Sequence, residues 1–173
     1  MPNRLIRAAM LIAALPVLPG CTLDREAALR EELSAWLALQ DTLYFRSRSS
    51  CTAALFALET ERVQFAGGLS RAGGTATGLA LIERGVPVYF DLMAMSPSEI
   101  SEGLMTRDLA RGIGLLSSGL GPVLDCAGSG EEKARIIEMF VSTRTRLIYV
   151  PGGNALILVS RPDRVAAFLR GNV

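Results

Sequence analysis

Four arginines fall in two pairs at two-residue spacing, Arg46 with Arg48 and Arg144 with Arg146. On a β-strand this spacing puts both side chains of a pair on one face. If the two strands were neighbours, four guanidiniums would line up to receive an anionic partner such as a headgroup phosphate, a cell-wall carboxylate or an acidic protein surface. The alternative is four separately solvated arginines, or pairing with Asp41, Glu59 and Glu61. Other chemistry is thinly supplied. The chain contains no histidine, and so lacks the usual base near neutral pH, the usual partner of a Ser or Cys nucleophile and the commonest metal ligand. Its single lysine, Lys133, follows Ser129 by four positions, which is not the S-x-x-K spacing of a Ser-Lys dyad.

The acids and glycines are no more specific. Glu131 and Glu132 are adjacent, so on a helix their carboxylates diverge by about 100 degrees and suit a helix N-terminus better than a shared catalytic centre. Asp91, Asp108 and Asp125 have no local spacing that joins them. Gly68 to Thr75 has P-loop glycine spacing, but Gly74 stands where the phosphate-binding lysine belongs. Gly112 to Ser117 approaches a dinucleotide fingerprint, yet it follows a helical pattern and ends in serine. No nucleotide, metal or other cofactor is expected. Lys plus Arg number 18 against 17 Asp plus Glu, a balance without the basic footprint of nucleic-acid binding.

The first twenty-one residues carry an address. Arg4 and Arg7 give a positive start, Ala8 to Leu18 is uncharged and mostly apolar, and Gly20 precedes Cys21. This is the order of a secretory signal, with an apolar run shorter than the roughly 20 residues of a membrane span. Leu18-Pro19-Gly20-Cys21 resembles the lipobox of bacterial lipoproteins, departing from the usual pattern at Pro19; the alternative is an ordinary signal peptide or an N-terminal anchor with a coincidental cysteine. The resemblance covers the leader alone. It implies that residues 1–20 are removed, that Cys21 receives lipid chains such as palmitate, and that the protein stands on the periplasmic side of an envelope membrane. Thr22 is not the aspartate that retains enteric lipoproteins at the inner membrane, so the resemblance implies the outer membrane.

Setting Cys21 aside leaves Cys51 and Cys126, of the three cysteines present, in an oxidising compartment. They are expected to form one disulfide; the alternative is two buried free thiols. The leader also holds two of the 18 basic residues, leaving sixteen against seventeen acids and no polybasic tether. Anchoring would then rest on acyl chains, at about 0.8 kcal/mol per buried methylene.

The elements that must position these residues follow from periodicity. Asp24 is placed to cap a helix whose Leu29, Leu33, Trp36 and Leu37 share one face. Thr42 to Arg48 alternates as a strand and ends at Ser49-Ser50, whereas Cys51 to Leu58 fits either a helix or a hairpin partner. Ala66 to Gly78, with five glycines, is the most loop-like stretch; Leu79 to Glu83 is a short helix ended by Gly85, and Val86 to Leu92 a strand. Ser96-Pro97-Ser98-Glu99 is a capping box with proline at the first helical position, opening a helix whose stripe continues through Met105, Leu109, Ile113 and Leu116. A second box, Ser129 with Glu132, opens a helix with Ile136, Ile137, Phe140 and Val141 on one face. Leu147 to Val150 and Ala155 to Val159, joined by Pro151-Gly152-Gly153-Asn154, give the clearest hairpin. Ser160, Pro162 and Asp163 open a short final helix that ends near Gly171.

These pieces predict an α+β protein: helices packed on a small, mostly antiparallel sheet of four or five strands, with a C-terminal hairpin followed by a short helix. The expected division is a signal peptide at 1–20, a lipidated tether at 21–23 and one domain at 24–173. The expected function is that of a membrane-anchored, non-enzymatic binding or assembly module of the cell envelope, with an envelope protein as partner. A carboxylate-dependent hydrolase and a carrier of an apolar ligand are the alternatives.

Overall fold

A computed structural model describes residues 23–108, 123–128 and 130–171. Cys21, Ser129 and the stripe positions Leu109, Ile113 and Leu116 lie outside them. The fold is α+β. Five α-helices among the described residues, α1 (Glu26–Ser34), α2 (Thr75–Glu83), α3 (Pro97–Arg107), α4 (Val123–Cys126) and α5 (Glu131–Val141), accompany a seven-stranded sheet. The strands are β1 (Leu37–Ser47), β2 (Cys51–Val63), β3 (Ser70–Ala72), β4 (Val88–Phe90), β5 (Thr145–Val150), β6 (Ala155–Ser160) and β7 (Val165–Gly171). Their order is β1-β2-β7-β6-β5-β4-β3, antiparallel except for the parallel pair β3–β4. No helix among the described residues is long and apolar enough to cross a membrane.

The sheet is larger than the sequence predicts because two segments become strands. Val165 to Gly171, expected as the final helix, is β7, and it lies between β2 and β6 with register partners on both. Alanine and leucine favour a helix only weakly, and pairing along both edges overrides that preference. Val165, Ala167 and Leu169 bury on one face and Ala166 and Phe168 on the other. The capping signal before it makes a turn instead: Ser160 Oγ donates to Asp163 Oδ2 at 2.6 Å, and Arg164 takes a positive φ of 48° to reverse the chain. Ser70 to Ala72, inside the glycine-rich stretch expected as a loop, is the edge strand β3, and α2 begins at Thr75 within the same stretch.

Other elements match the sequence more closely. Cys51 to Leu58 is strand, pairing with β1 as a hairpin partner. Both halves of the Ser96–Glu99 capping box are made, with Glu99 N donating to Ser96 Oγ and Ser96 N donating to Glu99 Oε2. The bonds that Ser96 N and Ser96 Oγ donate to Glu99 Oε2 hold its carboxyl below the ordinary range. The β5–β6 hairpin turns through a 3-10 turn at Pro151–Gly153, with Asn154 left-handed at φ 45°. Asp24 does not cap α1, whose N-cap is Arg25; its carboxylate instead meets Arg170 Nη1 at 2.6 Å. In α5, Ile136, Met139 and Phe140 are buried, whereas Ile137 and Val141 point outward.

Two apolar layers sandwich the sheet. On one face α3, α4 and α5 supply Ile100, Leu104, Val123, Ile136 and Phe140 over Leu55, Leu147 and Leu158. The other face buries Phe56, Ile148, Ile157 and Phe168 against Leu29 and Leu33 of α1, with Trp36 and Leu37. Trp36 Nε1 donates to Ala66 O at 3.0 Å and Gln64 N to Trp36 O at 2.8 Å, tying the start of β1 to the end of β2. Burial on both faces explains why the β5 and β6 runs do not alternate.

Gly78 shows how closely the helical layer sits. It is buried in α2, and a Cβ there would enter the ring of Phe90, which has no exposed surface. Gly78→Ala should therefore destabilise the protein by about 2 kcal/mol through overpacking, despite alanine's gain of about 1 kcal/mol in helix propensity. Urea unfolding checks this; unchanged or raised stability would show that the ring has room.

Candidate functional site

The four arginines singled out by spacing do not form one row. β1 is an edge strand, and three strands separate it from β5, a distance of about 19 Å at ordinary strand spacing. Arg46 lies opposite Ala53, on the face covered by α3, α4 and α5, and Arg146 lies opposite Val159, on the face covered by α1. Arg48 follows the end of β1, and Arg144 precedes the start of β5. Arg46 is exposed, whereas Arg146 is buried.

Arg144 and Arg146 instead join residues from five other places in the chain. Arg71 lies opposite Tyr89 and Tyr89 opposite Ile148, so β3, β4 and β5 present Arg71, Tyr89 and Arg146 on the same face. The end of β2 adds Glu61 and Arg62, the segment after it Phe65, and the β6–β7 turn Arg161. The result is a groove of about 360 Å³ between the β2 end, β3 and β4. It is continued by a second hollow of about 290 Å³ at Thr143, Arg144, Arg146 and Pro162. Glu61 and Arg161 line both.

Charge dominates this surface. Arg62, Arg71, Arg144, Arg146 and Arg161 line these two hollows with Glu61 and Asp91, five positive groups against two negative ones, an excess of three in the lining on a chain whose net charge is +1; Arg144 also borders Glu138 and Asp163 in an adjoining hollow. Arg146 Nε donates to Asp91 Oδ1 at 3.0 Å and Nη1 donates to Thr143 O at 3.1 Å. Arg71 Nη1 stands 3.8 Å from Asp91 Oδ2. Arg161 meets Glu61 at 3.3 Å, with both side chains about half exposed, a pair worth no more than about 1 kcal/mol. Among the described residues, neither Arg62 nor Arg144 has an ion-pair partner.

The aromatic wall is ordered by the same cations. The Arg71 guanidinium lies 4.7 Å from the Phe65 ring centroid and 5.9 Å from that of Tyr89, and the two rings meet edge to face at 5.5 Å. Phe65 stays 45% exposed, so an apolar surface remains open beside the charges. Burial, followed by the negative charge of Asp91, raises the Tyr89 phenol above its ordinary value, with Arg146, Arg161 and Arg71 opposing. Tyr89 is therefore a neutral O–H at physiological pH. Such an arrangement offers guanidinium donors to negative charge and an open ring face at Phe65 to a planar or apolar group.

No known protein family matches the chain, and no curated protein or solved structure matches it either. The site's chemistry has therefore to be taken from its own side chains.

The remaining sequence candidates are dispersed. Cys51 and Cys126 form the expected disulfide, with Cα atoms 6.0 Å apart, joining β2 to α4 away from solvent. Tyr44 Oη donates to Cys126 O at 2.6 Å alongside it. Asp91 belongs to the groove, Asp108 caps the end of α3 and Asp125 is exposed in α4. Among the described residues, no three side chains of metal-binding type come together. Arg62, Phe65, Arg71, Tyr89, Asp91 and Arg161 were not legible as a set. They span a hundred positions, and Arg71 stands in a stretch whose glycines suggest a loop.

Proposed function

We propose that this protein is a lipid-anchored envelope protein of the bacterial lipoprotein type, held on the periplasmic side of a membrane, with the outer membrane favoured. It serves there as a non-enzymatic binding or assembly module. The arginine groove carries the binding half of this reading. A cationic surface with an excess of three charges, an exposed aromatic ring and guanidiniums without acidic partners suits recognition of an anionic partner. The anchoring half is supported by the order of the leader: Arg4 and Arg7, an apolar run, then Leu18-Pro19-Gly20-Cys21.

Mass spectrometry of the protein isolated from cells tests the anchor. The expected mass lacks residues 1–20 and carries acyl chains on Cys21. A soluble chain with an unmodified Cys21 would reject the lipoprotein reading. Cross-linking in native membranes, followed by recovery of the partner, tests the binding module, and the partner's contact surface is expected to be acidic.

A further inference from the structure

We propose that the arginine groove is a site for a phosphate-type oxyanion carrying several charges, and that its ligand comes from outside the membrane that anchors the protein. The second half rests on the reading of Cys21 as the anchor.

The ligand class follows from charge. Asp91 and Glu61 each engage guanidinium edges already, and three positive charges remain. One further carboxylate would leave two of them uncompensated, whereas a diphosphate or a pair of phosphate monoesters would balance all three. Guanidinium forks also match phosphate oxygens two at a time. Arg144 and Arg62 are open for this, and Arg161 is held only by an exposed pair with Glu61. Arg146 is fixed by Asp91 and Thr143 O, so part of the site is ordered before a ligand arrives.

The orientation follows from the register. Asp24, three residues after Cys21, pairs with Arg170 at 2.6 Å, and Arg170 lies opposite Thr52 and Ala155. This fixes the N-terminal end of the domain at the Ala155 end of β6. The groove lies at the other end: Ser160 faces Val165, Arg161 follows it, and Arg146 lies opposite Val159. Ser160 lies five residue steps along the strand from Ala155, about 17 Å, which exceeds the Debye length of about 8 Å at physiological salt. With only Thr22 and Leu23 between Cys21 and the Asp24–Arg170 pair, the anchor has little slack to turn the groove back toward its own headgroups.

The test uses the protein purified from the membranes of its producing cells, titrated calorimetrically with inorganic pyrophosphate at low ionic strength. Saturable single-site binding is expected, and the double substitution Arg144→Ala with Arg161→Ala should weaken it about tenfold or more while leaving the melting transition in place. Arg46→Ala, on the opposite face, should bind as wild type does. Absence of saturable binding, or equal weakening by Arg46→Ala, overturns the site. The same preparation is then placed in vesicles of phosphatidylcholine alone and of phosphatidylcholine mixed with phosphatidylglycerol. Equal pyrophosphate affinity in both is expected; loss confined to the anionic vesicles would mean that headgroups fill the groove, and would overturn the off-membrane source. The mass of this preparation separates the two readings, because an unacylated Cys21 removes the anchor and the orientation with it, whereas the pyrophosphate titration stands or falls alone.

Discussion

Replacing Cys51 and Cys126 together by alanine is expected to lower the unfolding free energy by about 4 kcal/mol, the largest effect of any change considered for this protein. The bridge closes a loop across 75 positions of sequence, and in the chain-entropy account a loop of that size restricts the unfolded chain by about this amount. Its native role adds to the effect. α4 is a single turn of four residues that contributes two buried side chains, Val123 and Cys126. Without the bridge, it is held to the sheet by its apolar contacts and by the hydrogen bond that Tyr44 of β1 donates to Cys126 O. Urea unfolding of the wild type, oxidised and reduced, against the double alanine variant separates the causes. Reduction keeps both sulfur atoms in the core, so a shift common to reduction and substitution belongs to the cross-link. A loss below about 1 kcal/mol in both would show that the unfolded chain gains little freedom from opening the loop.

Asp91→Ala is expected to cost about 3 kcal/mol, the second largest effect. The Arg146 side chain is only 8% exposed, and Asp91 supplies the one carboxylate in contact with it among the described residues. Removing that carboxylate leaves a guanidinium almost out of water with a single carbonyl partner, Thr143 O. Breaking a fully buried pair from one side costs about 3–5 kcal/mol, and the 31% exposure of Asp91 places this case at the lower end. Adding Arg146→Leu to Asp91→Ala should recover most of the loss, because removing both charges leaves neither desolvated alone. A double variant no more stable than the single one would show that Arg146 packs through its aliphatic stem and gains little from the charge pair. Asp91→Asn, which keeps an acceptor beside Arg146, raises the excess charge of the groove and should tighten pyrophosphate binding.

The sequence alone determined the parts whose causes are local. The Ser96–Glu99 capping box and Pro97 started α3 at the expected residue, since the bonds that satisfy a helix terminus come from side chains within one turn. The β5–β6 hairpin was equally legible, because a proline, two glycines and an asparagine between apolar runs leave few other conformations. The pairing of Cys51 with Cys126 followed from the expectation that Cys21 is set apart as the lipid-bearing cysteine, which leaves two of the three. Tertiary structure decided what depends on distant partners. Val165 to Gly171 has a composition that suits a helix, and it is a strand because β2 and β6 offer hydrogen bonds along both edges. Asp24 is placed as a cap, and it turns away because Arg170, 146 positions later, offers a charge. The groove is the extreme case. Arg46 and Arg146 share a local spacing yet fall on opposite faces, while Arg71, Asp91 and Arg146 meet only because strand order brings β3 and β4 beside β5. Side-chain periodicity fixes which residues share a face of their own strand; which strand lies next to it is settled by the burial of two apolar layers at once, and no local pattern encodes that.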